Sequence, residues 1–231
     1  MNRRFSFANN QIYHVYNRGV EKRDIFIGDK NYLRFLTGLI EFNDTKPATG
    51  AYQIGTDDYP TDPTEVRLRS RESLVDILAF CLMPNHYHLL IQQLRDNGIT
   101  MFLRKLGTGY TNFFNIKHKR VGPLFQGKFR AVLIEREAHL IYLPCYIHTN
   151  PLDLIPKTRR HEDALAFLKS YRWSSLSYYL NQSKPKYLSR IINKQPLITH
   201  AGGIESFEVN LKEYINERSK KVEHVKDIIL E

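Results

Sequence analysis

His86 and His88 are separated by a single residue in the stretch Met83-Pro84-Asn85-His86-Tyr87-His88-Leu89-Leu90-Ile91, directly after an apolar run from Leu74 to Leu82. In an extended strand successive side chains alternate faces, so the two imidazoles project together while Tyr87, Leu89 and Ile91 turn to the other face and pack. Two imidazoles at that spacing can share one metal ion. Polar filler at a sheet edge has the same spacing, so the pair gains weight only from the rest of the chain. Tyr146 and Asn150 are four apart and lie on one face of a helix. If that face packs over the strand, the Asn150 amide oxygen completes a site for Mg²⁺ or Mn²⁺, with the Tyr146 hydroxyl beside it. Three protein ligands leave positions open for a phosphate oxygen, and a tyrosine so placed can attack phosphorus and form a covalent phosphotyrosine. Tyr146 stands out from 14 tyrosines only through its Asn150 partner: Tyr110 fits a core position and Tyr142, one turn earlier, lines the same face. His14 and His118 are further candidates, read first as a strand-face residue and a loop phosphate contact.

The charge distribution supplies a client for such a site. The formal net charge is +10 and the pI about 9.5, which suits a polyanionic partner. From Asn97 to Ile134 there is no Asp or Glu, although the chain has 24, and the span carries Arg104, Lys105, Lys117, Lys119, Arg120, Lys128 and Arg130. Its densest part, Lys117 to Lys128, contains glycines and Phe125, a combination suited to a phosphate backbone and a stacked base. These residues are the candidate DNA contacts.

The elements that must position these groups follow from periodicity. Gln11 to Arg18 reads as a strand, in which Ile12, His14 and Tyr16 alternate with Tyr13, Val15 and Asn17. Asp29 is placed to cap a helix running to about Phe42. Asn43 to Arg71, rich in Thr, Asp, Pro and Gly, reads as a long loop insertion. Leu74 to Met83 has the nearly continuous apolar character of a central strand covered on both sides. Pro84-Asn85 turns the chain into the histidine strand. Ile99, Phe102, Leu103, Leu106, Tyr110, Phe113 and Phe114 fall at helical spacing despite Gly107 and Gly109. Phe129 to Glu135 reads as a strand, and Glu137 to Thr149 as a helix that Pro144 should kink or begin. The order β-α-β-β-α-β-α predicts an α+β fold: a ferredoxin-like, RRM-like antiparallel sheet with helices on one face. A C-terminal helical extension, 181–231, follows.

Two cysteines, Cys81 and Cys145, sit in apolar segments, as expected of buried thiols in a reducing compartment rather than of a disulfide framework. The N-terminus has no apolar core behind its charges and no run approaches a membrane span, so the expectation is a cytoplasmic chain without a membrane partner.

The His stretch resembles the His-hydrophobic-His motif of HUH single-tyrosine transposases (the IS200-like transposase domain), and within them the REP-associated tyrosine transposases. Tyr13-His14-Val15-Tyr16-Asn17-Arg18-Gly19, Gly122-Pro123-Leu124-Phe125-Gln126-Gly127-Lys128-Phe129, Tyr146-Ile147-His148-Thr149-Asn150-Pro151 and Tyr171-Arg172-Trp173-Ser174-Ser175 follow in the family's order. The resemblance covers roughly 8–180, which would form one catalytic domain carrying the insertion at about 43–71. It implies metal-dependent cutting and rejoining of single-stranded DNA near hairpins, through a 5′-phosphotyrosine and a free 3′-hydroxyl. It also implies Tyr146 as nucleophile, His86, His88 and Asn150 as ligands of Mg²⁺ or Mn²⁺, and a monomer or homodimer acting on single-stranded or hairpin DNA. The insertion length and Pro144 depart from the family's pattern. A non-catalytic nucleic-acid-binding protein derived from a transposase would use the same charge and aromatics, but it needs neither the His pair nor the Tyr/Asn pair. A replication-initiator or relaxase nickase is a third reading, with a different motif order around the tyrosine.

Overall fold

The computed structural model describes residues 6–47, 63, 64, 66, 70–156, 164–181 and 185–218; most of the predicted insertion and the chain beyond 218 lie outside them. Four antiparallel strands, β1 (Ile12–Arg18), β2 (Val75–Met83), β3 (His86–Gln93) and β4 (Arg130–Leu133), form one sheet in the order β2-β3-β1-β4. Helix α1 (Asp29–Glu41) joins β1 to β2, and α2 (Gly98–Lys117) joins β3 to β4. This is the ferredoxin-like arrangement that the element order predicts.

Strand alternation divides the core in two. Tyr87 meets Phe35 of α1 with ring centroids 5.0 Å apart, so the Tyr87, Leu89 and Ile91 face is the one α1 and α2 cover. Helices α1 and α2 approach closely because Gly109 faces Phe42: a Cβ there would overlap the phenyl ring. Helix α3 (Glu137–Thr149) packs on the other face, over β2 and β3, which corrects the expectation of helices on one face. Its apolar residues Leu143, Cys145 and Ile147 are fully buried, and a helix with so little polar surface must be covered on several sides. It runs through Pro144 without interruption, so the helix does not begin there.

Strand β2 lies at the sheet edge, not in its centre. Its nearly continuous apolar run has another cause, since later segments cover the exposed edge. Leu82 N–H donates to the Trp173 carbonyl at 2.9 Å, Ser175 N–H to Phe80 at 3.1 Å, and Asn193 N–H to Ile77 at 3.0 Å. Covering an edge in this way removes the unpaired groups that would otherwise template aggregation. The short helices α4 (Ala164–Ser170), α5 (Leu176–Tyr179), α6 (Leu188–Ile191) and α7 (Gln195–His200) lead to α8 (Ile204–Asn216), which packs on α3. The described part of the predicted extension is therefore helical and integral to the core. Gly28, not Asp29, precedes α1; Asp29 instead pairs with Arg172 at 2.7 Å. Cys81 and Cys145 are both free and buried.

Candidate active site and nucleic-acid interface

Register brings β1 and β3 together with His14 opposite Leu90, Tyr16 opposite His88 and Arg18 opposite His86. His14, Tyr16 and Arg18 share one face by alternation, and it is the face of His86 and His88. His14 Nε2 lies 3.0 Å from His88 Nδ1, with both rings buried and stacked at a 16° interplanar angle. The His86 ring stands at 88° to that of His88, centroids 4.9 Å apart. Above them Tyr146 presents its ring edge-on, 5.6 Å from His88 and 6.3 Å from His14.

The hydrogen bonds orient the imidazoles. Asn85 Nδ2 donates to the Lys22 carbonyl at 3.2 Å, which turns Asn85 Oδ1 toward His86 Nδ1 at 2.6 Å. Nδ1 must then carry the proton, and the neutral ring keeps its lone pair on Nε2. For His88 the His14 contact does the same work in the tautomer where His88 Nδ1 donates. Holding the distal nitrogen so that the other can ligate is the usual arrangement around metal-binding histidines. His86 and His88 therefore fit a metal through Nε2. Among the described residues no three His, Cys, Asp or Glu side chains come together as a metal site. Asn150 is buried at the end of α3, and its Nδ2 donates to the carbonyls of Tyr146 at 2.9 Å and Ile147 at 3.5 Å. That ties Asn150 to the turn carrying Tyr146, with Oδ1 the side-chain atom that could ligate a cation.

A cavity of about 250 Å³ opens beside this cluster, lined by Tyr16, Asn17, Arg18, Asn85, His86, Gln126, Lys128 and Arg130, with no carboxylate. His86 lines the cavity, whereas His88, His14 and Tyr146 do not, and the Tyr146 hydroxyl is shielded from solvent. The loop 122–129 is held across the strand ends by Asn17 Nδ2 donating to the Gly127 carbonyl at 3.2 Å and by Gln126 N–H donating to Arg18 at 2.8 Å.

The chain shares its fold with a REP-associated tyrosine transposase. That solved structure, bound to a REP hairpin, superposes with a TM-score of 0.50 at 10% sequence identity, covering 81% of this chain and 89% of that one. At such identity the likeness is one of fold. No protein-family model matches the chain, and no curated protein matches it.

The predicted basic residues divide by what they touch. Lys128 and Arg130 line the His86 cavity; Arg104, Phe125 and Lys128 line a second groove along α2. Lys119 is exposed in the left-handed region at φ 50°. Lys105, by contrast, donates to the carbonyls of Asp44 at 2.6 Å and Lys46 at 2.9 Å, and Arg120 donates to Asn115 Oδ1 at 2.8 Å. Lys117 sits over the Phe113 ring at 5.4 Å, its ammonium held below its usual pKa by desolvation and then by Lys30. These three brace the fold around α2. His118 lies with them, its Nε2 3.3 Å from Asn31 Nδ2, and desolvation followed by Lys117 and Arg120 holds it below the usual histidine range. Tyr16 and Arg18 were legible at the start, since the period-2 rule that aligns His86 with His88 aligns them with His14; Gln126 and Asn85 carry no such signal.

Proposed function

We propose that the chain is a metal-dependent single-stranded DNA endonuclease and strand transferase of the REP-associated tyrosine transposase kind, with Tyr146 as nucleophile. The observation that carries the reading is the Tyr146 ring set edge-on against His88 in one buried cluster behind a carboxylate-free basic cavity. The shared fold with a transposase bound to a DNA hairpin supports it. A Mg²⁺ or Mn²⁺ ion held by His86 and His88, with Asn150 as third ligand, would supply Lewis-acid polarisation of the scissile phosphate.

The chain's own groups do the rest. Arg18, Lys128 and Arg130 attract the strand into the cavity and hold its phosphates, a contribution that weakens with salt. The Tyr146 ring turns out from beside His88 to reach the phosphate. Its hydroxyl oxygen attacks phosphorus; the new Oη–P bond forms as the P–O3′ bond breaks, and the electron pair stays on O3′. The proton given up by the tyrosine balances the one taken up by O3′. The products are a 5′-phosphotyrosine and a free 3′-hydroxyl, and attack by another 3′-hydroxyl reverses the step and rejoins the strands.

The test is incubation of the protein with Mn²⁺ or Mg²⁺ and single-stranded hairpin DNA, read on a denaturing gel. A protein-linked DNA band is expected with the intact chain and not with Tyr146→Phe. An adduct that survives in Tyr146→Phe removes Tyr146 from the role, and hairpin binding with no adduct under any divalent metal favours the non-catalytic binding protein.

A further inference from the structure

The residue directly across from His88 on β1 is Tyr16, yet the ring that meets His88 nitrogen to nitrogen belongs to His14. His14 stands opposite Leu90 in the register, so it reaches His88 on the diagonal, a contact open only to long or aromatic side chains. Its ring is fully buried, 5.3 Å from the Tyr16 ring and edge-on to Tyr146. It lines neither the His86 cavity nor the groove along α2, so a strand of DNA does not reach it. Burying an imidazole costs free energy that an apolar ring in the same place would not. Whatever His14 contributes to the site passes through His88.

We infer that His14 is a positioning residue, whose Nε2 accepts the His88 Nδ1 proton and so holds His88 in the tautomer that can ligate a cation. The inference rests on the metal reading of His86 and His88 above. One hydrogen links the two nitrogens, 3.0 Å apart, and it can be lodged on either ring. Lodged on His14 Nε2, it leaves the His88 proton on the far nitrogen, and a protonated Nε2 has no lone pair to give. Lodged on His88 Nδ1, it frees Nε2 as a ligand. Taking the acceptor away from position 14 leaves that Nδ1–H buried without this partner, which penalises the ligating tautomer. His86 has a separate acceptor in Asn85 Oδ1, from the turn before β3. The two imidazoles are thus oriented by different elements, and a change at His14 acts on one of them.

Two variants separate positioning from packing. His14→Gln puts an amide oxygen near the place of the imidazole Nε2, whereas His14→Phe keeps a ring and removes the acceptor. Mn²⁺ affinity of the full chain is measured by calorimetry. His14→Phe is expected to bind Mn²⁺ about tenfold to a hundredfold more weakly, as when the partner behind a ligating histidine is lost, and His14→Gln to stay close to the parent. Equal loss in both variants, or no loss in His14→Phe, overturns the inference. Imidazole nitrogen NMR of the metal-free parent reads the tautomer directly and needs no variant to fold. The His88 proton is expected on Nδ1, and finding it on Nε2 overturns the inference. A parent that binds no Mn²⁺ overturns this inference and the metal reading together. A parent that binds Mn²⁺ no better than His14→Phe removes His14 alone and leaves the metal reading standing.

Discussion

On β3, Tyr87, Leu89 and Ile91 look toward α1 and α2, while His86, His88 and Leu90 look toward α3. The first face is packed as a core: Phe35, Tyr87 and Tyr110 interlock, and the Tyr110 hydroxyl donates to the Ile25 carbonyl, so the polar atom inside has a partner. Burial raises the Tyr87 and Tyr110 hydroxyls well above their usual range, which keeps them neutral and inert. The second face buries His14, His88 and Tyr146 in mutual contact, with cations at its rim. Polar side chains in a low-dielectric interior cost more than apolar ones of equal volume unless every donor and acceptor is met. The first face is a packed core, whereas the second gathers imidazoles and a phenol beside a basic cavity, so neighbours along one strand serve different surroundings.

Tyr146→Phe is the sharpest way to break that comparison. It removes one hydroxyl from the second face and should abolish covalent attachment to DNA, while urea unfolding shows a change within about 1 kcal/mol. The matching change on the first face, Tyr110→Phe, leaves the Ile25 carbonyl without its side-chain donor. It should cost about 1–3 kcal/mol of stability and leave the adduct in place. If Tyr110→Phe lost the adduct without losing stability, the division between the faces would be wrong.

The two histidines of β3 separate the same way on a smaller scale. His86 lines the cavity and His88 is buried against His14. Replacing either with Ala should remove metal-stimulated cleavage. Only His88→Ala should also destabilise the fold, by about 1–3 kcal/mol, because it strands His14 Nε2 and opens a cavity. Manganese affinity by calorimetry, beside the unfolding midpoint, tells ligand loss from fold loss. Unchanged manganese affinity in both variants would remove the pair from the metal role.

How much of this was legible follows from which signals are local. The β3 alternation, the bounds of α3 and the four-residue link from Tyr146 to Asn150 depend on neighbours in sequence, and the structure keeps them. The position of β2 does not: nothing within Val75–Met83 tells that Trp173, Ser175 and Asn193 close its edge, so its apolar run reads as a central strand. Charge type is equally ambiguous. Lys105 and Lys128 are the same residue in the same acid-free span, yet one spends its ammonium on backbone carbonyls and the other faces two cavities. Only the fold decides whether a cation's partner is internal.

His148 shows what a histidine looks like when it belongs to packing. It lies two residues after Tyr146, fully buried, with Nε2 2.8 Å from Ser175 Oγ, which in turn meets the Phe80 N–H at 2.9 Å and bolts α3 to β2. Desolvation lowers its pKa from the ordinary 6.5 to about 3. Between those values the unfolded chain binds a proton that the folded one does not, so stability rises with pH there and is lost as pH falls below about 6.5. The slope is about 1 kcal/mol per pH unit, levelling off near pH 3. Urea midpoints at pH 7, 6 and 5 should fall less steeply in His148→Gln than in the parent. Equal slopes would place the titrating group elsewhere.

The smallest effects lie in two glycines of α2, one facing an open groove and the other the α1–α2 contact. Replacing either with Ala relieves helix-propensity strain worth up to about 1 kcal/mol. At Gly107 nothing stands within 4 Å of the new methyl, so Gly107→Ala should raise stability by that amount. At Gly109 the methyl would overlap the Phe42 ring, which is itself buried between α1 and α2. Overpacking a filled core costs about 1–3 kcal/mol, which exceeds the propensity gain and reverses the sign. Thermal melts of the two single variants should therefore move in opposite directions. If both rose, the α1–α2 contact would be looser than its geometry indicates, and the first face would lose its standing as the tightly packed one.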